Sequence, residues 1–509
     1  MTKNHPEIED KYAVGPEDRL PELGTLAEVA SVSGPTQQDL EATYFDTAAL
    51  TLTTVGITVR RRAGGDDAGW HVKLPTSKGR YEVHAPLGRS RTTVPKRLRD
   101  LLMASVREQG LAPIAKVSTH RTVRWLTDAG GRVLAEVADD EVTTQALGHD
   151  GNVVSSTAWR EWEVELVEGG QPLLRSAAEL FRKNGVAPSE SPSKLVEALD
   201  GRMPARPPRP LPTKKSAPPT EVVRAWLGKQ VAQLRRQDPL VRADAPDAVH
   251  KMRVATRRLR SALATFRPLL ERELTDPVRA ELKWIAGVLG EARDAEVMRE
   301  RLIEMLTAAD PQAVSGAAGA RVDRILSDRY KRAHAACVRA MTSERYLALL
   351  ERLDQLLEDP PWTKDAHHRS TAVLRKRVAH AWKRLARRVR AVEDTNGEDE
   401  RADAMHEVRK AAKRVRYAAE PLAPQYGKAA KRFVEVTKRV QSVLGDHQDS
   451  VVTQEELRKL ADAAVTDGDD SFTFGVLHAH EDRNQDDTEK HVWAAWAKAS
   501  KKKHRNWLT

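Results

Sequence analysis

At residues 160–169 the chain reads REWEVELVEG, in which Glu161, Glu163 and Glu165 alternate with Trp162, Val164 and Leu166. A period of two sends successive side chains to opposite faces of a strand, so three carboxylates share one face and three large apolar groups the other. The ordinary source of such alternation is a solvated face of an antiparallel sheet. Three like charges at successive same-face positions repel one another, however, and a cation is needed to reconcile them. The same period runs through ITVRRRA at 57–63, GWHVKLP at 69–75, RYEVHAPL at 80–87, RTVRWLT at 121–127 and RVLAEVAD at 132–139, with Gly- or Asp-rich turns between. Arg60 and Arg62 share a face opposite Val59 and Arg61. This half of the chain reads as antiparallel β-sheet.

Between Pro204 and Pro219 lie seven of the chain's 27 prolines, in PARPPRPLPTKKSAPP. That composition favours extended polyproline conformations and sustains neither helix nor packed core, so residues 203–219 read as a linker. Beyond it the period becomes helical, with Ala, Leu, Arg, Glu and Lys dominating and apolar residues three and four apart. The 509 residues thus divide into a β domain at 1–202 and an all-α domain at 220–509. Charge divides with them: residues 1–200 carry 24 basic and 29 acidic residues, net −5, and the remainder 60 and 44, net +16. Forty per cent hydrophobic and 31% charged residues exclude collagen and wholesale disorder. Cys337 is the only cysteine, which excludes an intrachain disulfide and a thiolate zinc site. No apolar leader opens the MTKNHPEIEDKY start and no run reaches a membrane span, so the expectation is a cytoplasmic protein without a membrane partner.

The helical half repeats itself. AVHKMRVATRRLR at 248–260 matches AMHEVRKAAKRVR at 404–416, and WIAGVLGEARDAEV at 284–297 is echoed by RVQSVLGDHQDSVV at 439–452, at offsets of 156 and 155 residues. Two related helical bundles with pseudo-symmetry follow. On a helix, His250, Arg253, Arg257 and Arg260 fall within about 80° of one another, as do His406, Arg409, Lys413 and Arg416. Acidic partners at i,i+4 are nearly absent from both stripes, and like charges at that spacing destabilise a helix. Two opposed cationic stripes call for an extended anion, nucleic acid or polyphosphate. With Tyr417 the only aromatic beside a stripe there is no stacking platform, so bare phosphate fits better and nucleic acid is expected to bind only nonspecifically.

The paired H-x-x-R-x-x-x-[RK]-R segments with their trailing L-G-x-x-x-D elements resemble the conserved histidine α-helical domain, the CHAD family, over about residues 218–500. The resemblance implies a basic groove between two four-helix bundles that binds inorganic polyphosphate. It makes His250, Arg253, Arg257, Arg258, His406, Arg409, Lys413 and Arg414 the anion contacts, which Arg260 and Arg416 extend along the stripes. The β half is similar to the CYTH superfamily of triphosphate tunnel metalloenzymes. Glu7, Glu9 and Lys11 form its E-x-E-x-K signature, followed in order by Arg60, Lys73, Arg80 with Glu82, Arg121, Glu163 with Glu165, and Lys194 in S-x-S-K. By that resemblance the fold is an eight-stranded antiparallel β tunnel barrel. Two departures stand out: Thr58 occupies the position of a first arginine, with Arg62 further along the same face, and the aspartate placed near 138 falls at Asp139 or Asp140.

A triphosphate carries about four negative charges, so a barrel lined by Lys11, Arg60, Arg62, Lys73, Arg80, Arg121 and Lys194 neutralises it. Glu7, Glu9, Glu161, Glu163 and Glu165 would hold hard divalent cations, Mg²⁺ or Mn²⁺ rather than zinc. Lys11, Arg60 and Lys73 are the expected catalytic cations. The leading expectation is metal-dependent hydrolysis of inorganic triphosphate or a related short polyphosphate, with long-chain polyphosphate bound by the helical half. Rival readings are adenylate cyclase, thiamine triphosphatase, and a noncatalytic polyphosphate-binding or granule-associated protein. GGDDAG at 64–69 is expected to be a hairpin turn rather than a phosphate loop, and KKKHR at 501–505 a fraying basic tail.

Overall fold

The computed structural model describes residues 8–508 apart from 66, 78, 149, 192, 200, 203–209, 312, 371 and 396. Glu7 and the first part of the proline-rich segment therefore lie outside the described residues. The chain forms two compact units, residues 1–207 with 238–245 and residues 208–237 with 246–509.

The first unit is built on ten strands: β1 (Glu9–Val14), β2 (Ser31–Val32), β3 (Thr36–Asp46), β4 (Thr58–Ala63), β5 (Gly69–Pro75), β6 (Arg80–Ala85), β7 (Ala112–Thr127), β8 (Val133–Leu147), β9 (Val153–Leu166) and β10 (Ala187–Pro188). Eight of them are long, and they pair antiparallel in the order β1-β9-β8-β7-β3-β4-β5-β6, with β10 outside β1 and β2 on β7. They form the expected tunnel. Accompanying them among the described residues are the α-helices α1 (Thr51–Thr54), α2 (Lys96–Val106), α3 (Gln171–Lys183) and α4 (Lys194–Ala198).

The alternation seen in REWEVELVEG has both its faces buried. Trp162 and Val164 join Tyr12, Leu126 and Val137 on the outside of the tunnel, where Leu173, Leu174, Ala177 and Phe181 of α3 cover them. Phe181 stands edge-on to Tyr12 at 4.6 Å between ring centroids. The glutamates face inward, so this sheet carries its apolar face out under helices and its charged face in. One end of the interior is apolar, because Leu195, Ala198 and Leu199 of α4 pack on Ala42, Tyr44, Ala115, Val117 and Val142. At the end of β3 the buried Asp46 accepts from the backbone N–H groups of Thr47, Leu52 and Thr53 and from the Thr53 hydroxyl, which fixes α1. GGDDAG forms the β4–β5 hairpin, as expected.

The second unit contains α5 (Pro219–Arg242) up to residue 237, its last five residues falling in the first unit, with α6 (Ala248–Thr265), α7 (Arg272–Ala308), α8 (Gly316–Thr342), α9 (Glu344–Glu358), α10 (Ala372–Glu393), α11 (Glu398–Ala419), α12 (Ala423–Thr466) and α13 (Phe472–Ala499). The sequence repeat extends to whole helices: α5 to α8 recur in order as α10 to α13, with α9 between the two sets. α12 kinks at Gly427, whose φ of 56° and ψ of −132° suit a residue without a Cβ. α6 packs against α11, which brings the two stripe helices together. The two bundles also share a core, in which Leu302, Val322 and Leu326 of the first set meet Leu457, Leu460, Phe474 and Leu477 of the second. Among the described residues no helix is long and apolar enough to cross a membrane.

The KKKHR segment does not fray. It forms a short 3₁₀ turn with His504 buried, Arg505 lies 5.2 Å over the Trp382 ring, and Trp507 packs edge-on to Phe433. The indole two residues beyond the basic run supplies the anchor that charge composition does not reveal. On the other unit, Phe181→Ala removes a fully buried ring from the α3 cover and should cost about 3–5 kcal/mol, read as an earlier denaturant-unfolding transition of the tunnel.

Candidate functional site

Strand register decides which side chains enter the tunnel. Glu9 pairs with Glu165 and Lys11 with Glu163; across β8, Glu165 pairs with Glu136, Glu163 with Ala138 and Glu161 with Asp140. Asp140 then faces Arg121 on β7, and at the other wall Tyr44, Arg60 and His71 line up in adjacent strands, as do Thr58, Lys73 and Glu82. Arg62 and Arg80 share the parity of Arg60 and Glu82. Every predicted tunnel residue on a described strand therefore lies on one continuous face, with carboxylates concentrated on β1, β8 and β9 and cations on β4, β5 and β6.

The sharpest cluster is Asp140, Glu161 and Glu163, all buried, which offer one oxygen each within 4.8 Å of one another. Sequence reading left the choice between Asp139 and Asp140 open. The register settles it, since Asp140 faces inward while Asp139 is held by Arg160 through two hydrogen bonds of 2.8 and 2.7 Å. Glu9 and Glu165, expected as ligands, sit further along the same face, outside this trio. Arg121 grips Asp140 with bonds of 2.8 and 2.7 Å and reaches Glu163 at 2.5 Å and Glu136 at 3.2 Å. Lys11 pairs with Glu163. From the start of α4, Lys194 Nζ lies 2.8 Å from Asp140, 2.6 Å from Glu161 and 2.7 Å from Glu163.

These contacts set the charge states. Burial pushes Glu163 up, but Lys11, Lys194 and Arg121 outweigh it and hold the carboxyl well below its ordinary range. Burial pushes the Lys194 ammonium down, and Glu163, Asp140 and Glu161 more than reverse this, so it stays charged. The trio fits a hard divalent cation: its donors are all oxygens, and Glu161 Oε1 is buried without a hydrogen bond, the Lys194 contact falling outside hydrogen-bond geometry.

The opposite wall is cationic. Tyr44 is fully buried, which raises its hydroxyl, yet Arg60, with help from Lys194 and Lys73, holds it below the usual phenol value. Arg62 pairs with Asp67 of the hairpin. Glu82, marked in the sequence only by its R-x-E spacing, accepts from His71 Nδ1 at 2.8 Å, and His71 Nε2 meets the Asp67 carbonyl at 2.9 Å. The sequence reading had assigned no role to His71, Asp67, Tyr44 or Glu136. Parity with Arg60 and Arg121 is the signal for His71, Tyr44 and Glu136, usable only once pairing is known, whereas Asp67 lies in the β4–β5 turn.

In the helical unit the repeated motifs interlock. A Cβ on Gly290 would stand 3.3 Å from the Arg253 guanidinium, and one on Gly445 would stand 3.3 Å from that of Arg409. Arg253 then pairs with Asp294 at 3.1 Å and Arg409 with Asp449 at 3.5 Å. The L-G-x-x-x-D element is thus the seat of the H-x-x-R arginine in both copies. His406 hydrogen-bonds Gln448 at 2.9 Å, whereas burial and then Arg293 press His250 below its ordinary value.

Burial, followed by Arg409, Arg257 and Arg253, pushes Lys413 down to about 7. The two stripes therefore converge, and neither Arg257 nor Lys413 makes an ion pair among the described residues. Arg260 is lowered by burial and by Arg279 and Arg257, and Arg414 by burial and then Arg384, which extends the uncompensated charge along the groove. Arg258 and Arg416 differ: both pair with Glu420 and both lie over Tyr417. The structure gives these two predicted contacts an internal partner.

Fold and site together define a two-unit protein, with a charged β tunnel in one unit and, in the helical unit, two basic stripes on α6 and α11 that meet. The chain matches the CYTH domain over residues 5–196 and the CHAD domain over residues 225–458. Two strains of Mycobacterium tuberculosis each carry an uncharacterized protein that is 38% identical over 498 residues, covering 94% of this chain and 93% of the relative. Among solved structures, PptA from Streptomyces chartreusis is 24% identical, covers 55% of this chain and 100% of its own, and has a TM-score of 0.46. The CHAD domain of the plant Ricinus communis is 25% identical, with 57% and 96% coverage and a TM-score of 0.44. A Hippeastrum protein described as having a dominant triphosphatase activity is 16% identical, with 38% and 96% coverage and a TM-score of 0.24. The chain belongs to the family that fuses a CYTH domain to a C-terminal CHAD domain.

The Lys413 environment fixes a pH dependence. An unfolded chain protonates this lysine up to about pH 10.4, whereas the folded chain releases the proton near pH 7. The unfolded state therefore binds more protons between those values, and stability rises with pH across that window. Lys413→Met should be more stable than wild type at pH 7, and the difference should vanish towards pH 10, read from thermal unfolding across the range.

Proposed function

We propose that the tunnel hydrolyses inorganic triphosphate, or a related short polyphosphate, to diphosphate and phosphate, and that the helical unit binds long-chain polyphosphate. The observation that carries this reading is the confrontation of the Asp140, Glu161 and Glu163 cluster with Arg60, Arg62, Lys73 and Arg80 on one inward face. A chain of phosphates bridges such walls, since its oxygens accept from the arginine and lysine donors along its length. Mg²⁺ or Mn²⁺ held by the carboxylates would neutralise phosphoryl oxygens and polarise water.

The remaining work belongs to the chain. Arg60, Arg62 and Lys73 orient the phosphates, and Lys11 and Arg121, already fixed against Glu163, add positive charge without further reorganisation. Water attacks the terminal phosphorus in line, the anhydride bond breaks, and the diphosphate leaving oxygen gathers charge that nearby cations offset. Thr58 stands where the family has an arginine, so one cationic contact is replaced by Arg62 on the same face. Arg253, Arg257, Arg409 and Lys413 form a like-charge cluster in which Asp294 pairs with Arg253 and Asp449 with Arg409, and a bare polyanion would relieve the remaining repulsion.

A substrate panel of triphosphate, ATP, thiamine triphosphate and long polyphosphate with Mg²⁺ or Mn²⁺ tests the tunnel. Phosphate release should be fastest from triphosphate, and Glu163→Gln should lower kcat by at least about 100-fold with an unchanged circular dichroism spectrum. Cyclic AMP from ATP, or preference for thiamine triphosphate, would move the assignment within the superfamily. No turnover of any of the four overturns hydrolysis. For the groove, Arg253→Ala with Arg409→Ala in the full chain should weaken polyphosphate binding more than neutralising Lys501 and Lys502, and affinity should fall steeply with salt. Equal binding by the double variant, or equal competition by DNA at the same phosphate concentration, would reduce the groove to a generic basic surface.

A further inference from the structure

Lys194 is expected, from its S-x-S-K context, to hold phosphate. Its position is different. The ammonium contacts the three oxygen donors of the candidate metal cluster together, at 2.8, 2.6 and 2.7 Å. Among the described residues no other cation touches all three: Arg121 serves Asp140 and Glu163, and Lys11 pairs with Glu163 and, at 3.6 Å, with Glu9. Asp140, Glu161 and Glu163 are thereby met by three protein cations, and the cluster is electrically closed.

We propose that Lys194 is the resident cation of the metal site, so that its ion pairs and divalent-metal coordination are mutually exclusive and metal entry displaces the ammonium towards the phosphate-binding wall. The proposal rests on the metal-dependent reading of the tunnel and deepens it. A dication added with Lys194 in place would sit within a few ångströms of a positive charge in a buried setting, where repulsion is poorly screened. With Lys194 withdrawn, the same carboxylates face one dication, Lys11 and Arg121, and the surplus positive charge suits an incoming polyanion.

Local structure supports the exchange. Lys194 is the first residue of α4, and Ser193 caps that helix by accepting from the Val196 N–H. Leu195, Ala198 and Leu199 hold the helix in the apolar end of the tunnel. The backbone is thus anchored, and displacement of the ammonium would fall to the four-carbon stem alone. The Lys194 charge acts on the Tyr44 hydroxyl together with Arg60 and Lys73 of the opposite wall, so the carboxylate cluster and that wall border one space. The Lys194 contact to Glu161 Oε1 is close but misaligned, which leaves that oxygen without a hydrogen bond. A lysine satisfies this cluster incompletely, as a placeholder does. Metal and phosphate then bind with mutual assistance: one takes the carboxylates from Lys194 and the other takes Lys194 from the carboxylates.

The test measures Mn²⁺ binding to the full chain by calorimetry and by electron paramagnetic resonance, without substrate, together with melting temperature in chelator. Lys194→Met should melt below wild type in chelator, bind Mn²⁺ at least about tenfold more tightly, and gain more melting temperature than wild type when Mn²⁺ is added. Lys194→Gln, which keeps hydrogen-bonding capacity without charge, gives the same comparison if the methionine variant does not fold. Equal or weaker Mn²⁺ binding by these variants, with Glu161→Gln still abolishing it, overturns the displacement while leaving the metal site intact. Failure of wild type and both variants to take up Mn²⁺ overturns the metal site, and the displacement with it.

Discussion

Three carboxylates buried side by side on the inside of a sheet are tolerable only when cations are buried with them. In this tunnel Lys11 comes from β1, Arg121 from β7 and Lys194 from α4, and all three meet Glu163. That one side chain therefore joins the first strand, the central strands and the closing helix of the unit. The ion pairs add little net stability, because desolvation offsets most of their Coulombic gain. Their consequence is specificity of arrangement: a one-residue slip of β9 would bury Trp162 among cations and send Glu163 beneath α3.

The same constraint explains why the sheet is clothed in helices. With its charged face turned inward, the apolar face has no core unless α3 and its neighbours supply one, and Phe181 lies on Tyr12 and Trp162 for that reason. The helical unit resolves charge in the opposite way. Arg253 and Arg409 rest against Gly290 and Gly445, where any side chain would crowd the guanidinium, and Asp294 and Asp449 hold them without cancelling the surrounding charge. Glycine, arginine and aspartate are one device used twice, which is why the repeat preserves both motifs and their separation.

Much of this was legible before any coordinates. Period-two alternation located the inward residues, and the two repeat offsets implied the paired bundles. What escaped had a common cause, namely dependence on pairing between distant segments. EVADDE offers two adjacent aspartates on opposite faces, and only the β8–β9 register selects Asp140. The grouping of Glu161 and Glu163 with Asp140 rather than with Glu9 follows from the same register. Arg258 and Arg416 belong to the stripes by helical spacing, yet Glu420 engages both, and a carboxylate beyond the end of the motif is invisible to a face-by-face reading. The basic run at 501–505 read as a tail because charge suggests solvent, while Trp507 and Arg505 anchor it to aromatic rings.

Charge balance separates what the two units are able to do. Catalysis on an anhydride requires groups fixed before the substrate arrives, since dipoles and charges that must reorganise forfeit their advantage in the transition state. The tunnel meets that requirement by pairing most of its cations internally, so that Lys11 and Arg121 are held in place by Glu163 and Asp140 whether or not phosphate is present. Binding without chemistry has no such requirement. It gains most where the empty site is under electrostatic stress that a ligand would relieve, and Lys413 is under such stress, its ammonium suppressed by burial and then by Arg409, Arg257 and Arg253. If the helical unit binds polyphosphate as proposed, such a cluster would take any sufficiently dense line of phosphates and discriminate poorly between chain lengths. On the proposed reading, the balanced tunnel would respond instead to where along its walls each phosphate sits, and substrate selection would fall to the β unit rather than to the more strongly charged helical unit.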